Sequence, residues 1–242
     1  MNIIYEPRGK ALEYSPLAAN LYKGCSHECL YCYAPSATFK KRENFHSFDY
    51  IRPRDEVLKH FEKDCKKYAG DNREILFSFT TDPYQCIEKD ANITRKALKV
   101  ALKYDLFPVI LTKGGTNAVK DFDILKKFKK RKFGVSLTHD TNAVSLFWES
   151  GAALPSDRML ALQEAWTLGI ETFVSFEPVI DPASVLRMID ETHEFVDFYK
   201  IGKLNYHPLS KIINWPEFRE SVTRKLGLLN KRYMIKKDLL SA

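Results

Sequence analysis

The sequence predicts an α/β fold: a partial (β/α)6 barrel of parallel strands, TIM-like in type, followed by a C-terminal helical and strand extension. Three observations predict it. Six short runs rich in branched and aromatic residues alternate with segments whose apolar residues recur on a helical period, the order that yields parallel strands joined by right-handed crossovers. The runs end in polar loops bearing glycine or proline, where barrels and open α/β sheets carry their chemistry. At 242 residues and 45% hydrophobic, the chain can bury one sizeable core. It reads as a single domain over 1–242, with its core at about 17–205 and an extension at 206–242.

Residues 1–16 contain Pro7, Gly9 and Pro16 and read as an extended arm. The first strand, 17–22, leads into a cysteine-bearing loop. A helix opens near Pro53 and carries Val57, Leu58, Phe61, Cys65 and Tyr68 on one stripe, so Cys65 reads as core. The second strand, 74–79, runs into Thr80-Thr81-Asp82-Pro83-Tyr84-Gln85. A helix over 91–104 turns Ile93, Ala97, Leu98, Ala101 and Leu102 inward. The third strand, 107–112, ends at Lys113-Gly114-Gly115, a loop that lets backbone approach a ligand while the lysine offers a carboxylate partner. A helix near 117–130 and a strand over 133–138 follow, then a long connection with Trp148, Glu149 and Gly151. A helix at about 156–168 stops at Gly169. The strand 171–176 delivers Glu177-Pro178. A helix at 182–193, a strand at 195–201 and the exit loop Gly202-Lys203-Leu204-Asn205 complete the sixth unit. The tail, about 214–242, holds another helix and the strand-like 232–235, expected to close the open side.

Composition narrows the function classes. There is no run of eighteen apolar residues, and the N-terminus MNIIYEPRGKALEY has no apolar stretch of signal-peptide length, so a cytoplasmic protein with no membrane partner is expected. Five cysteines, three of them tightly spaced, suit a reducing compartment and a metal better than a disulfide framework. The net charge of +7 favours polyanionic partners. The densest basic stretch, 126–132, sits on the period of Phe122, Leu125 and Phe128 and reads as the solvated face of a packed helix.

The chemistry concentrates in Cys25-x3-Cys29-x2-Cys32. Three thiolates within eight residues favour a soft centre, zinc or iron–sulfur iron. No fourth cysteine or histidine stands close behind, and the neighbours of His27 leave it little freedom to reach the same metal. A cluster on three cysteines keeps one iron open, the mark of a reactive site. The other reading is a non-catalytic nucleic-acid-binding module whose cysteines hold structural zinc. Polar residues recur at the strand ends: Cys25, Asp82, Lys113, Ser136, Glu177 and Lys203.

With Tyr31 before its last cysteine, the motif resembles the signature of the radical S-adenosylmethionine (radical SAM) enzymes. The longer string Gly24-Cys-Ser-His-Glu-Cys-Leu-Tyr-Cys-Tyr-Ala34 is similar to that of the branch that includes spore photoproduct lyase, an enzyme of DNA repair. The resemblance covers roughly residues 17–205. It implies a [4Fe–4S] cluster on Cys25, Cys29 and Cys32 and S-adenosylmethionine at the open iron. It further implies an electron donor such as flavodoxin or ferredoxin, and reductive cleavage to methionine and a 5′-deoxyadenosyl radical that takes a hydrogen atom from the substrate.

By the same resemblance Tyr31 and Tyr33 lie beside the adenine, Lys113 meets the methionine carboxylate, and Ser136 lies at the cofactor. Thr81 and Asp82 stand where many members carry Gly-Gly-Glu, and are similar to the Thr-Ser-Asp of the lyase branch. Glu177, Lys203 and Asn205 are expected to face the substrate: a nucleic-acid base, a nucleotide or a protein side chain. Trp148 offers either a stacking surface or core packing. The lyase has a hydrogen-donating cysteine on its second strand where this chain has Phe79. Cys86 is the candidate substitute, the other reading being a surface or packed thiol.

Overall fold

In a computed structural model of the protein, the residues described are 2–77 and 79–242. Its main sheet has eight strands in the order Ile4–Tyr5, Leu17–Ala19, Glu74–Phe77, Phe107–Thr112, Lys132–Ser136, Glu171–Val179, Phe198–Lys203 and Arg232–Ile235. The first pair is antiparallel and every later pair is parallel. Spatial order follows chain order because the crossovers carry helical segments that bury apolar side chains against the sheet. Val57–Lys67, Ile93–Lys103, Pro155–Thr167 and Pro182–Thr192 all cover the sheet in this way. Cys65 is fully buried in that layer.

Five expectations need correction. The parallel set holds seven strands, because Arg232–Ile235 pairs along its length with residues 198–201. The first strand stops at Ala19: the side chain of Asn20 accepts the amides of Phe79 and Thr80 and donates to the Tyr5 hydroxyl, replacing ladder bonds. Tyr22–Lys23 then pairs with Arg52–Pro53 in a separate ribbon. The helix expected near 117–130 is a 3-10 segment, Gly115–Asp121, with one α turn, Phe122–Leu125. The basic stretch therefore follows that turn, while Phe128 remains in the core. The long connection contains a helix, Asn142–Trp148. Ser78, within the expected second strand, lies outside the described residues.

The N-terminal arm is the fifth case, and it shapes the site. Its strand Ile4–Tyr5 is anchored by Asp64, which accepts the amides of Ile3 and Ile4 at 2.6 and 2.9 Å. Its helix Lys10–Tyr14 crosses the gap between the first and last strands. There Lys10 pairs with Asp238 at 3.1 Å and reaches Asn205 at 3.2 Å, and the Glu13 carboxylate accepts the amide of Lys237 at 2.7 Å. Tyr14 enters the barrel and packs with Leu76, Val109 and Phe173. Gly134 makes room for them: a Cβ there would stand 2.5 Å from the Phe173 ring. Both ends of the chain thus close the barrel, where the tail alone was expected to do so.

Candidate active site

The cysteine loop leaves the sheet after Ala19, turns at Gly24 (φ 67°), and is gripped from several sides. Gln85 accepts the amide of Ser26 at 2.9 Å and donates to the carbonyl of Gly24 at 3.2 Å. Arg42 donates to the carbonyls of Glu28 and Cys29 at 2.9 and 2.7 Å, and a ring nitrogen of His46 lies 2.6 Å from the carbonyl of Cys25. These bonds satisfy a strongly curved backbone, which includes Glu28 at φ 52°.

Cys25 and Cys29 are buried and Cys32 is half-buried. Burial pushes all three thiols up, Cys29 to about 11. A metal centre takes such thiols as thiolates, so binding and deprotonation are coupled. His27 turns away toward Asp82, 3.5 Å from its carboxylate. Among the described residues no group of three His, Cys, Asp or Glu side chains is arranged to hold a single metal ion. A cubane presents its irons at separate corners, so its thiolates stand further apart than those around one ion. The chemistry of the donor set, three soft thiols on one loop, fits an iron–sulfur cluster.

Beside Cys29 lies a buried charge group. Arg158 and Glu149, both wholly buried, pair at 2.6 Å; Lys113 stands 4.0 Å from Glu149, and the Tyr31 hydroxyl donates to the same carboxylate. Burial works against the Glu149 anion, yet Arg158 and Lys113 hold its pKa at about 2. Burial also works against the Lys113 ammonium, but Cys29 and Glu149 outweigh it and raise its pKa. Lys113 stands beyond hydrogen-bond range of Glu149, so its ammonium keeps donors for an incoming carboxylate.

Asp82 accepts the Lys113 amide at 2.7 Å, the Thr112 hydroxyl at 2.6 Å and the Tyr84 amide at 2.8 Å. Both of its oxygens are thus occupied in fixing the strand end. Thr81, just before it, is half-buried, and Ser136 is buried at the end of its strand. Tyr33 reaches across the mouth, its hydroxyl donating to the carbonyl of Phe79 at 2.6 Å.

On the opposite side, Glu177 pairs with Lys236 at 2.8 Å, and burial raises its pKa against the pull of that lysine. Lys203 lies over the Trp215 ring at 5.2 Å. Asn205 donates to Asp238 at 2.8 Å, which places it in the seam closed by Lys10. Cys86 is exposed, in the turn before Glu88–Ala91, and its amide donates to the Ser26 hydroxyl. Its neighbours Gln85 and Glu88 line an outer cavity of about 290 Å³ with Thr116, Asn117 and Lys120. Trp148 packs among Tyr31, His139 and His207, the His139 ring lying nearly parallel to it at 5.9 Å.

Residues 19–196 match the sequence profile of the Radical SAM superfamily. The chain belongs to that superfamily. An uncharacterized protein of Methanocaldococcus jannaschii is 29% identical over 225 residues, spanning 89% of this chain and 82% of its own. Among solved structures, spore photoproduct lyase complexed with a dinucleoside spore photoproduct superposes with a TM-score of 0.70 at 14% identity, over 96% of this chain and 79% of that one. The Streptococcus suis protein SuiB bound to S-adenosylmethionine gives 0.66 at 13%, over 90% of this chain and 49% of SuiB. At such identities the superpositions establish a shared radical SAM fold.

Arg158, Lys236 and Tyr14 were not singled out by sequence reasoning, and Glu149 and Gly151 were noted only as members of a connection. A tryptophan, a glutamate and a glycine close together in a long connection are the available signal for the last two. Nothing in the sequence marked Lys236, which the final strand brings to Glu177.

Proposed function

We propose that this radical SAM protein is an enzyme whose Cys25, Cys29 and Cys32 hold a [4Fe–4S] cluster with S-adenosylmethionine at its open iron. When bound, these groups supply reductive cleavage of the sulfonium and hydrogen abstraction from a substrate. The observation that carries this reading is the placement of Lys113, a buried cation set beside Cys29 by Asp82 and Glu149. Lys113 takes the methionine carboxylate. Tyr31, Tyr33, Thr81 and Ser136 line the adenosyl side. Asp82 acts by fixing the backbone of Lys113 and the ring of His27. Glu177, Lys203 and Asn205 line the substrate side, and Tyr14 and Phe79 keep water from it. Cys86, exposed beside the cysteine loop, is the remaining candidate hydrogen donor.

The substrate is proposed to be a nucleic-acid base or nucleotide, supported by the net charge of +7 and by the dinucleoside bound in the similar lyase. A flavodoxin- or ferredoxin-like donor in the cytoplasm supplies the electron. The test is anaerobic reconstitution with iron and sulfide, then reduction with S-adenosylmethionine present. Free 5′-deoxyadenosine is expected, and its loss in Cys25→Ala. A colourless protein with stoichiometric zinc, unresponsive to S-adenosylmethionine, overturns the reading in favour of a structural site. Binding to single-stranded DNA or RNA is expected to weaken as salt rises. No binding at low salt eliminates the polymer substrate.

A further inference from the structure

The Glu177–Lys236 pair is built with more care than a chance contact. The backbone amide of Lys236 donates to the carbonyl of Ile201 at 3.0 Å, continuing the register of Arg232–Ile235 by one residue and fixing where the side chain starts. Its ammonium is 2.8 Å from Oε1 of Glu177 and passes near the Tyr14 ring, 5.6 Å from its centroid. On the other side Gly202 supplies space: a Cβ there would stand 2.7 Å from Cδ and 2.8 Å from Oε1 of Glu177. The carboxylate therefore packs against the neighbouring strand with one oxygen engaged. The Lys236 side chain is only 6% exposed and that of Glu177 is 25% exposed.

We propose that Lys236 is a positioning residue for Glu177, holding that carboxylate in one orientation as a hydrogen-bond acceptor at the barrel mouth. The final strand thereby becomes part of the site. The inference rests on the reading above only in taking Glu177 to face the substrate. Lys236 is the paired charge; the other charged and titratable groups around the carboxylate are Asp238 from the last turn, Lys200 from the adjoining strand, Tyr14 from the N-terminal helix and Tyr33 from the cysteine loop. Lys200 is spent on the carbonyl of Tyr14 at 2.9 Å, and Asp238 on Lys10 and Asn205. Lys236 alone bonds to Glu177 among the described residues.

The test is a carboxyl titration of the full chain labelled with 13C at glutamate Cδ, the Glu177 signal being the one lost in Glu177→Gln. Lys236→Met is expected to raise the Glu177 midpoint by about 1 to 3 pH units, the effect of removing an adjacent opposite charge. Lys236→Gln, which keeps the packing and a donor, is expected to give the same rise and stands in if the methionine variant does not fold. Lys236→Arg is expected to restore the original midpoint. Unchanged midpoints in both neutral variants overturn the proposal. S-adenosylmethionine binding to the reconstituted variants is expected to match the wild type within about twofold, and a tenfold loss also overturns it by making Lys236 part of cofactor binding. The titration needs no cluster, so it decides the role of Lys236 even if the protein proves not to bind S-adenosylmethionine.

Discussion

Gly151 lies so close to Ser26 that a Cβ on it would stand 2.0 Å from the Ser26 carbonyl oxygen. Its amide donates to the carbonyl of His27 at 3.1 Å, while the amide of Leu30 donates to the carbonyl of Trp148 at 2.8 Å. The Tyr31 hydroxyl reaches Glu149 in the same stretch. The segment 148–151 is therefore a clasp on the cysteine loop, and it sets where the three thiols stand.

Gly151→Ala is expected to push Ser26 aside and spoil the ligand geometry, at a stability cost of about 1–3 kcal/mol for overpacking. Iron and sulfide bound after reconstitution should fall well below the wild-type amount. Gly227, in the helix Trp215–Leu228, has nothing within 4 Å of its Cβ position, and Gly227→Ala is the control: it should hold full iron and gain about 0.5–1 kcal/mol. Equal iron contents in the two variants contradict the clasp.

Glu149 links that clasp to stability. Its pKa is about 2 in the folded protein against an ordinary 4.5, so the unfolded chain binds the proton first as the pH falls. The contribution is complete above about pH 4.5 and is lost as the pH drops toward 2; a difference of that size is worth about 3 kcal/mol. Glu149→Gln should be less stable than wild type by about that amount at pH 7 in urea titrations, and the gap should close by pH 2. Arg158→Met leaves Glu149 with only Lys113 as a charged partner among the described residues, and a buried pair broken from one side typically costs about 3–5 kcal/mol.

How far the sequence discloses this site depends on the kind of feature. Strand 107–112 and the helix at 182–193 are legible because a buried parallel strand leaves a continuous apolar run and a one-faced helix a periodic one. The cysteine spacing is legible because ligation of one cluster requires it locally. The arm 1–16 is not legible: its strand has two residues, too short for a period, and Asp64 anchors it from sixty positions away. The 115–130 region misleads because Phe122, Leu125 and Phe128 satisfy a helical stripe while packing from one short turn and a loop. Pairs such as Glu177 with Lys236, or Glu149 with Lys113, join residues that only the closed sheet brings together.

Lys113→Ala tests the cofactor side. Removing a buried cation from an incoming carboxylate should weaken S-adenosylmethionine binding to the reconstituted protein at least about tenfold, about 1.4 kcal/mol. The cluster's own visible absorbance should persist, because Lys113 ligates nothing. Unaltered affinity assigns the methionine carboxylate to another group, and Arg158 is then the nearest alternative, since it shares Glu149.

Lys200 offers a pH signature of the barrel interior. It is 6% exposed, its ammonium donates to the carbonyl of Tyr14 and lies 3.8 Å from the centroid of that ring, and burial lowers its pKa from 10.5 to about 8. A lysine with a depressed folded pKa costs stability wherever it is charged in both states, so the cost is complete below about pH 8 and vanishes as the pH rises to about 10.5. The shift corresponds to about 3 kcal/mol. Lys200→Met should therefore be more stable than wild type at pH 7, by less than that amount because the bond to Tyr14 is lost. Its advantage should shrink between pH 8 and 10.5 in paired denaturant titrations. Burial raises the thiol pKa values of Cys25, Cys29 and Cys32, which makes both proteins less stable over the same range, so the difference between them carries the Lys200 signal. A pH-independent difference means that the ammonium is not desolvated and that Tyr14 does not seal the barrel above it.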